Sequence, residues 1–209
     1  MAKTEPFEKH VTEYEDWFTR HRFAYESELE AVRPHLPQSK NGIEIGVGSG
    51  RFAVPLGIRL GLEPSTQMSR IAQRRGIQVV GGMAEAVPFG NSTFDFALMV
   101  TTICFVDDPE ASCKEVHRIL KPDGCFIIGF VDRNSAIGRL YEQHKDNNVF
   151  YRVATFYSVA EVASLLHGAG FKELRFSQTV FENLPDIDRI EPVKPGYGEG
   201  SFVVVRATK

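Results

Sequence analysis

Little in this chain points to a membrane, an oxidising compartment or a nucleic acid. No apolar run approaches the roughly 20 residues that cross a bilayer, and Met1 to Glu8 is polar, with no apolar export core. There are only three cysteines, Cys104, Cys113 and Cys125. Their number is odd and they lack metal-ligand spacing, so reduced thiols in a cytoplasm are expected, with no metal site. Positive charge is not in excess. The net charge of −3 gives no electrostatic case for a nucleic-acid partner. Internal repeats and low-complexity tracts are absent too. What remains is 209 residues, 43% of them hydrophobic, enough for one ordinary domain with a full core.

The most informative stretch is Ile43-Glu44-Ile45-Gly46-Val47-Gly48-Ser49-Gly50, a short apolar strand running into a glycine-rich turn. Glycine lets the backbone turn tightly and lets a ligand approach without a Cβ in the way. After a helix-length gap, Ile58 to Leu62 reads as a second strand ending at Glu63, placed to accept hydrogen bonds from a ribose diol. A dinucleotide fingerprint would require G-x-G-x-x-G. Here the pattern is Gly46-x-Gly48-x-Gly50, and Arg51 takes the sixth position.

The rest of the chain alternates strands and helices, as a doubly wound parallel sheet requires. One aromatic-rich helix is expected from Phe7 to Val32, ended by Pro34 and Pro37. Expected strands run over about 42–45, 58–62, 78–82, 94–100, 125–131, 171–181 and 201–207. Helices are expected over about 51–56, 65–75, 109–120, 135–146 and 158–169, with Ser65 as an N-cap and a turn at Lys121-Pro122-Asp123-Gly124. No helix separates the last two strands, so they should form an antiparallel hairpin across a Pro- and Gly-rich loop.

The glycine turn with Glu44 before it resembles motif I of the class I S-adenosylmethionine (SAM)-dependent methyltransferases. Ala84-Glu85-Ala86-Val87-Pro88-Phe89 and Val116 to Gly124 resemble the family's segments after strand three and before strand five. Tyr14, Trp17 and Phe18 resemble the N-terminal Tyr-x-x-Trp-Phe pattern of its small members. The resemblance implies a three-layer α/β/α fold around a doubly wound, seven-stranded, mostly parallel sheet of order 3-2-1-4-5-7-6, with strand 7 antiparallel. It implies one methyltransferase domain over 1–209: a helical lid (1–40), a SAM-binding core (41–131), and acceptor-side helices with a hairpin (132–209).

It also implies SAM as cofactor and S-adenosylhomocysteine as product. Glu44 would orient the glycine turn or its neighbours, with Gly46, Val47, Gly48 and Gly50 against the methionine and ribose portions. Glu63 would hold the ribose hydroxyls, and Pro64, Ser65 and Met68 would lie near the adenine. Ala84 and Glu85 would border the adenine edge. Met83 stands where many relatives carry an acidic residue, and would pack on the ring. Val100 and Thr101 would face the methionine moiety, with Tyr14 and Phe18 helping to cover the cofactor.

Methyl transfer from a sulfonium needs positioning and exclusion of water more than a general base. The candidate catalytic side chains are His21, His144 and Tyr141. A solvated helix face or a cap is the plain reading of His10, His35, His117 and His167, and packing is the plain reading of Cys104. Val100-Thr101-Thr102-Ile103 stands where amino-methylating relatives carry Asn/Asp-Pro-Pro-Tyr/Phe, which speaks against methylation of a base amine. The expected partner is therefore a small-molecule acceptor, with no nucleic acid and no membrane, and the protein a monomer or homodimer. Two competing readings are a non-catalytic SAM-binding sensor or partner subunit and an NAD-dependent oxidoreductase.

Overall fold

The computed structural model describes residues 3–39 and 41–209. Among them the sheet has eight strands: β1 (Gly42–Ile45), β2 (Leu60–Leu62), β3 (Gln78–Val80), β4 (Phe94–Val100), β5 (Leu120–Val131), β6 (Lys172–Thr179), β7 (Lys194–Pro195) and β8 (Phe202–Thr208). Their order is β3-β2-β1-β4-β5-β8-β6-β7. The strands from β3 to β5 pair in parallel, whereas β8 is antiparallel to both β5 and β6. The last strand thus slots between the fifth and sixth, as expected. The expected seven strands become eight because Lys194–Pro195, within the predicted loop, pairs with Ser177 and Gln178 at the edge.

Six of the seven residues of β4, all but Asp95, are apolar and buried, as a strand covered on both faces requires. Its side chains alternate between two cores. Ala97 and Met99 pack with Cys113, Val116, Val162 and Leu166, while Phe96, Leu98 and Val100 pack with Leu29, Val32, Ala53 and Ile137. These partners lie on helices α3 (Arg22–Val32), α4 (Ala53–Leu56), α6 (Pro109–Ile119), α7 (Ala136–Gln143) and α8 (Val159–Gly168). The layering α/β/α follows directly.

Helix starts are set by side-chain caps. Ser65 accepts from the Met68 N–H at the head of α5 (Thr66–Arg74), and Asp108 accepts from Ala111 before Pro109 at the head of α6. Ser158 and Glu161 complete a capping box at α8.

The single N-terminal helix expected from Phe7 to Val32 is three: α1 (Glu5–Lys9), α2 (Val11–Arg20) and α3. The breaks fall at His10 (φ −118°, ψ 42°) and His21 (φ −112°, ψ 44°). Helical hydrogen bonds resume at once across each break, Tyr14 N–H to His10 O and Tyr25 N–H to His21 O. The two kinks let one aromatic-rich segment wrap over the sheet rather than leave it. The helix expected over 135–146 is likewise shorter, ending at Gln143, with a 3₁₀ turn over Lys145–Asn147. At Lys121 to Gly124 the turn is present, with Asp123 at φ 63°, but pairing already begins at Leu120 opposite Phe94. A register shift between Phe94 and Phe96 absorbs the extra residues.

The Pro- and Gly-rich loop is pinned to the fold. Buried Glu191 accepts from the Phe181 and Glu182 N–H groups, and its own N–H donates to Ser27 on α3. The loop borders neither of the two cavities described next.

Candidate active site

At the C-terminal ends of β1, β2 and β4 the chain leaves a cleft, where ligands bind in open α/β sheets. Gly46 and Gly48 form its floor with φ of 70° and 54°. A Cβ at Gly46 would lie 2.3 Å from Thr102 Cγ2, and one at Gly48 would lie 3.0 Å from the Tyr14 hydroxyl. Both positions therefore demand glycine, on conformation and on space.

Glu63 closes one end. Its two carboxylate oxygens accept from the Gly48 and Ser65 N–H groups, each at 2.8 Å, so the acid fixes the glycine turn to the head of α5. Burial pushes its carboxyl up to about 7, against those two N–H groups, which favour the charge. Each oxygen has two lone pairs, leaving an acceptor site free. Glu44 is fully buried nearby, with Oε2 unpartnered. Burial raises its carboxyl well above the usual range, opposed by the Ala53 N–H and assisted by the charge of Glu63.

The structure brings most of the expected cofactor residues together. Gly46, Gly48, Glu63, Pro64 and Met68 line the cleft from the β1 and β2 side. Met83, Ala84, Glu85, Val100 and Thr101 line the other wall, and Tyr14 of α2 reaches over the top. Val47, Gly50, Ser65 and Glu44 lie behind this lining. Val47 is in the core, and Ser65 is engaged as the cap of α5. Phe18 does not border the cleft. It packs between Tyr14, Trp17 and Tyr25, under the Arg51 guanidinium. The Glu85 carboxylate accepts from the Asp107 and Asp108 N–H groups and so fastens the far rim.

The N-terminal helices are tied down beside the cleft. Glu15 on α2 meets Arg51 and Arg75 at 2.5 Å each, and Arg75 also donates to the Ser49 carbonyl at 2.8 Å. Burial opposes ionisation of Glu15, but hydrogen bonds from Arg75, Ser49 and Arg51 outweigh it and hold its carboxyl below the usual range. The Tyr25 hydroxyl donates to the Arg51 carbonyl and adds a second tie from α3.

Under these helices lies a larger cavity of about 470 Å³. Its walls are aromatic: Trp17 and Phe18 above, Tyr141, Tyr151 and Phe156 to the side, Phe130 from the sheet. Tyr141 and Tyr151 stack with ring centroids 4.2 Å apart. Four residues border both cavities: Phe7, Tyr14, Thr101 and Phe105. Thr101 sits at the end of β4 with φ 48°, a conformation rare for a β-branched residue and characteristic of functional sites. Burial raises the Tyr14 hydroxyl well above its usual range, so it faces the junction as a neutral phenol.

Of the three candidate catalytic side chains, only Tyr141 reaches this cavity, and burial pushes its hydroxyl up to about 12. His21 sits at the α2–α3 break against Trp17, and His144 follows the end of α7. Neither borders either cavity. His10 does line the larger one, hydrogen-bonded to Glu13 at 3.2 Å, where a plain helix-face role was expected. Cys104 lines it too, but burial pushes its thiol up to about 12, which leaves it inert. Sequence reading missed Glu28, a buried acid in the wall. Helical arithmetic could have found it, because Ala24, Ala31 and Val32 share its face at i−4, i+3 and i+4 and are all buried.

Among the described residues, no cluster of three or more His, Cys, Asp or Glu is arranged to hold a metal ion. No helix there is long and apolar enough to cross a membrane.

Comparison with known proteins decides the family. Residues 43–128 match the methyltransferase domain family. A solved Thermotoga maritima structure, described as a SAM-dependent methyltransferase and "possible histamine N-methyltransferase", superposes with TM-score 0.97 at 55% identity, over 99% of both chains. This chain belongs to the class I SAM-dependent methyltransferases. An uncharacterized protein of Methanocaldococcus jannaschii is 42% identical over 97% of this chain and 98% of its own. Demethylmenaquinone methyltransferase of Chlorobaculum tepidum is 26% identical, over 67% of this chain and 69% of its own length.

The residues present fit the methyltransferase cofactor. The glycine floor that a Cβ would fill and the Glu63 carboxylate with a free acceptor site suit a nucleoside with a ribose diol. When bound, SAM supplies a methyl group already activated on a sulfonium. The protein's part is then to hold, orient and dry the reactants.

Proposed function

We propose that this protein methylates a small-molecule acceptor held in the aromatic cavity, using SAM held in the neighbouring cleft. One observation carries the reading: the two cavities share a wall of Phe7, Tyr14, Thr101 and Phe105, so donor and acceptor meet there and nowhere else. Glu63 takes the ribose hydroxyls, Met68 and Met83 flank the base, and Val100 and Thr101 border the methionine portion. Residues 1–40 act as a lid latched by Glu15, residues 41–131 bind the cofactor, and residues 132–209 complete the acceptor side.

The size and apolar walls of the cavity support a small acceptor, since drug-sized ligands fill about 300–1,000 Å³. The named relatives point the same way, as histamine and demethylmenaquinone are both small molecules. Tyr14, the one titratable side chain on the shared wall, is held neutral and cannot serve as a base. The acceptor atom therefore arrives with its lone pair free, or loses its proton to another group of the cavity. The three free thiols suit a cytoplasmic protein.

Calorimetry with SAM, S-adenosylhomocysteine and NAD, followed by transfer of labelled methyl to an acceptor library, tests this. Micromolar binding of SAM with no NAD heat, and label in a small product, is expected. SAM binding without turnover on any acceptor would favour the sensor reading, and NAD binding alone would overturn both.

A further inference from the structure

The acidic residue in the cavity wall has no use in the site as described so far. Glu28 is 5% exposed, sits on α3 in a wall of aromatic rings, and makes no hydrogen bond or ion pair among the described residues. Burial alone pushes its carboxyl up to about 8, and neither Arg20 nor His10 on the same cavity contributes to that shift. Buried carboxylates are normally paired, because an isolated one costs several kcal/mol. The groups that feel its charge are hydroxyls: Tyr141 on α7, Tyr151 on a second 3₁₀ turn (Tyr151–Val153), and Tyr25 on its own helix.

The rim reinforces this. Glu13 and Asp16 of α2 line the same cavity, so three carboxylates face one guanidinium, Arg20, with His10 beside Glu13. Trp17, Tyr141 and Tyr151 line the cavity, and aromatic rings carry the quadrupole that attracts a desolvated cation. A cavity of this kind rejects anions, leaves a neutral ligand's polar end beside an unpaired acid, and is completed by a monocation.

We infer that Glu28 is the acceptor-anchoring residue, and that the acceptor is an amine with an apolar body whose protonated nitrogen pairs with it. This deepens the methyltransferase reading and rests on it. The ion pair forms inside the aromatic wall, and the rest of the acceptor extends towards Thr101 and Phe105, where a second atom with a free lone pair takes the methyl while the ammonium stays at Glu28. No group is transferred at Glu28, so its role is to select and orient.

The test uses the full chain saturated with S-adenosylhomocysteine, whose own titration reports on the methyltransferase reading separately. Three matched probes are then titrated: 2-phenylethylamine, neutral 2-phenylethanol and anionic 3-phenylpropanoate. The amine is expected to bind about tenfold or more tightly than the alcohol, with the propanoate weakest. Glu28→Gln should bring amine and alcohol within about twofold while leaving S-adenosylhomocysteine affinity unchanged. Should that variant not fold, the ladder on the natural protein decides. Equal binding of amine and alcohol, tighter binding of the propanoate, no amine binding, or a preference surviving in Glu28→Gln would each overturn the assignment with the cofactor reading intact. Failure of S-adenosylhomocysteine itself to bind would take both down.

Discussion

The glycine-floored cleft and the aromatic cavity share one wall but are built by different rules. The cleft is organised around backbone: a glycine turn, strand ends, and one carboxylate accepting from the Gly48 and Ser65 N–H groups. The cavity is made of side chains delivered by many separate segments, from Phe7 on α1 to Phe156 and Tyr157. Backbone sites are dictated by local chemistry and vary little. Side-chain cavities can be rebuilt residue by residue without touching the fold. A conserved reaction with a changeable acceptor needs that division of labour.

If the division is real, the two acids at its centre should behave oppositely. The largest effect is expected at Glu28. Its carboxyl stands at about 8 in the folded protein against 4.5 unfolded. The folded state therefore holds a proton that the unfolded chain gives up, so stability falls as pH rises from 4.5 to about 8 and stays low above. Glu28→Gln should remove that loss, stabilising the protein by about 2–4 kcal/mol at pH 9, with thermal midpoints raised ~2–4 °C per kcal/mol, and by nothing near pH 4. Paired melts at the two pH values check this. A Glu28→Gln variant less stable at pH 9 would mean the acid has a partner.

Glu63→Ala comes next. It leaves the Gly48 and Ser65 N–H groups unpaired and removes the proposed ribose acceptor, so SAM affinity should drop by about 1–3 kcal/mol while amine binding survives. A related expectation concerns pH. The ionised Glu63 is the better acceptor, and its carboxyl stands at about 7, so SAM binding should weaken as pH falls through 7 towards 5.5. Titration at several pH values reads this directly, and a flat profile would place the ribose elsewhere.

The smallest effect is expected at the latch. Glu15 and its two arginines are only partly exposed, with Glu15 at 20% and the arginines just under 30%, so the network outweighs a surface pair. Glu15→Gln should speed S-adenosylhomocysteine release severalfold in stopped-flow displacement, with a melting midpoint lowered by about 2–4 °C. Unchanged release would detach the N-terminal helices from cofactor exchange.

The same contrast explains what could be read in advance. Phe94–Val100 was readable to the residue because a strand buried on both faces is nearly continuous in apolar residues, Asp95 being the exception. The glycine turn, Glu63 and the Ser65 cap were readable because each is local chemistry with few substitutes. The kinks at His10 and His21 were not, because nothing nearby breaks the helical pattern, and the wrap over the sheet is a tertiary demand. Phe18 shared a face with Tyr14 in sequence, yet only Tyr14 reaches the cleft, since one helical turn is enough to pass from one cavity to the other. Glu28 looked like one more charge in Glu26-Ser27-Glu28-Leu29-Glu30, and only the packing of its apolar neighbours marks it as buried. The two-residue strand at Lys194–Pro195 carries no pattern at all.

The most direct test of the account is calorimetric titration of S-adenosylhomocysteine into the natural protein, Glu63→Ala and Glu28→Gln under one set of conditions. Equal micromolar binding to the natural protein and Glu28→Gln is expected, with binding weakened roughly 5- to 150-fold in folded Glu63→Ala. Equal affinity in all three would contradict it, because the cleft built around Glu63 would then not be where the nucleoside binds.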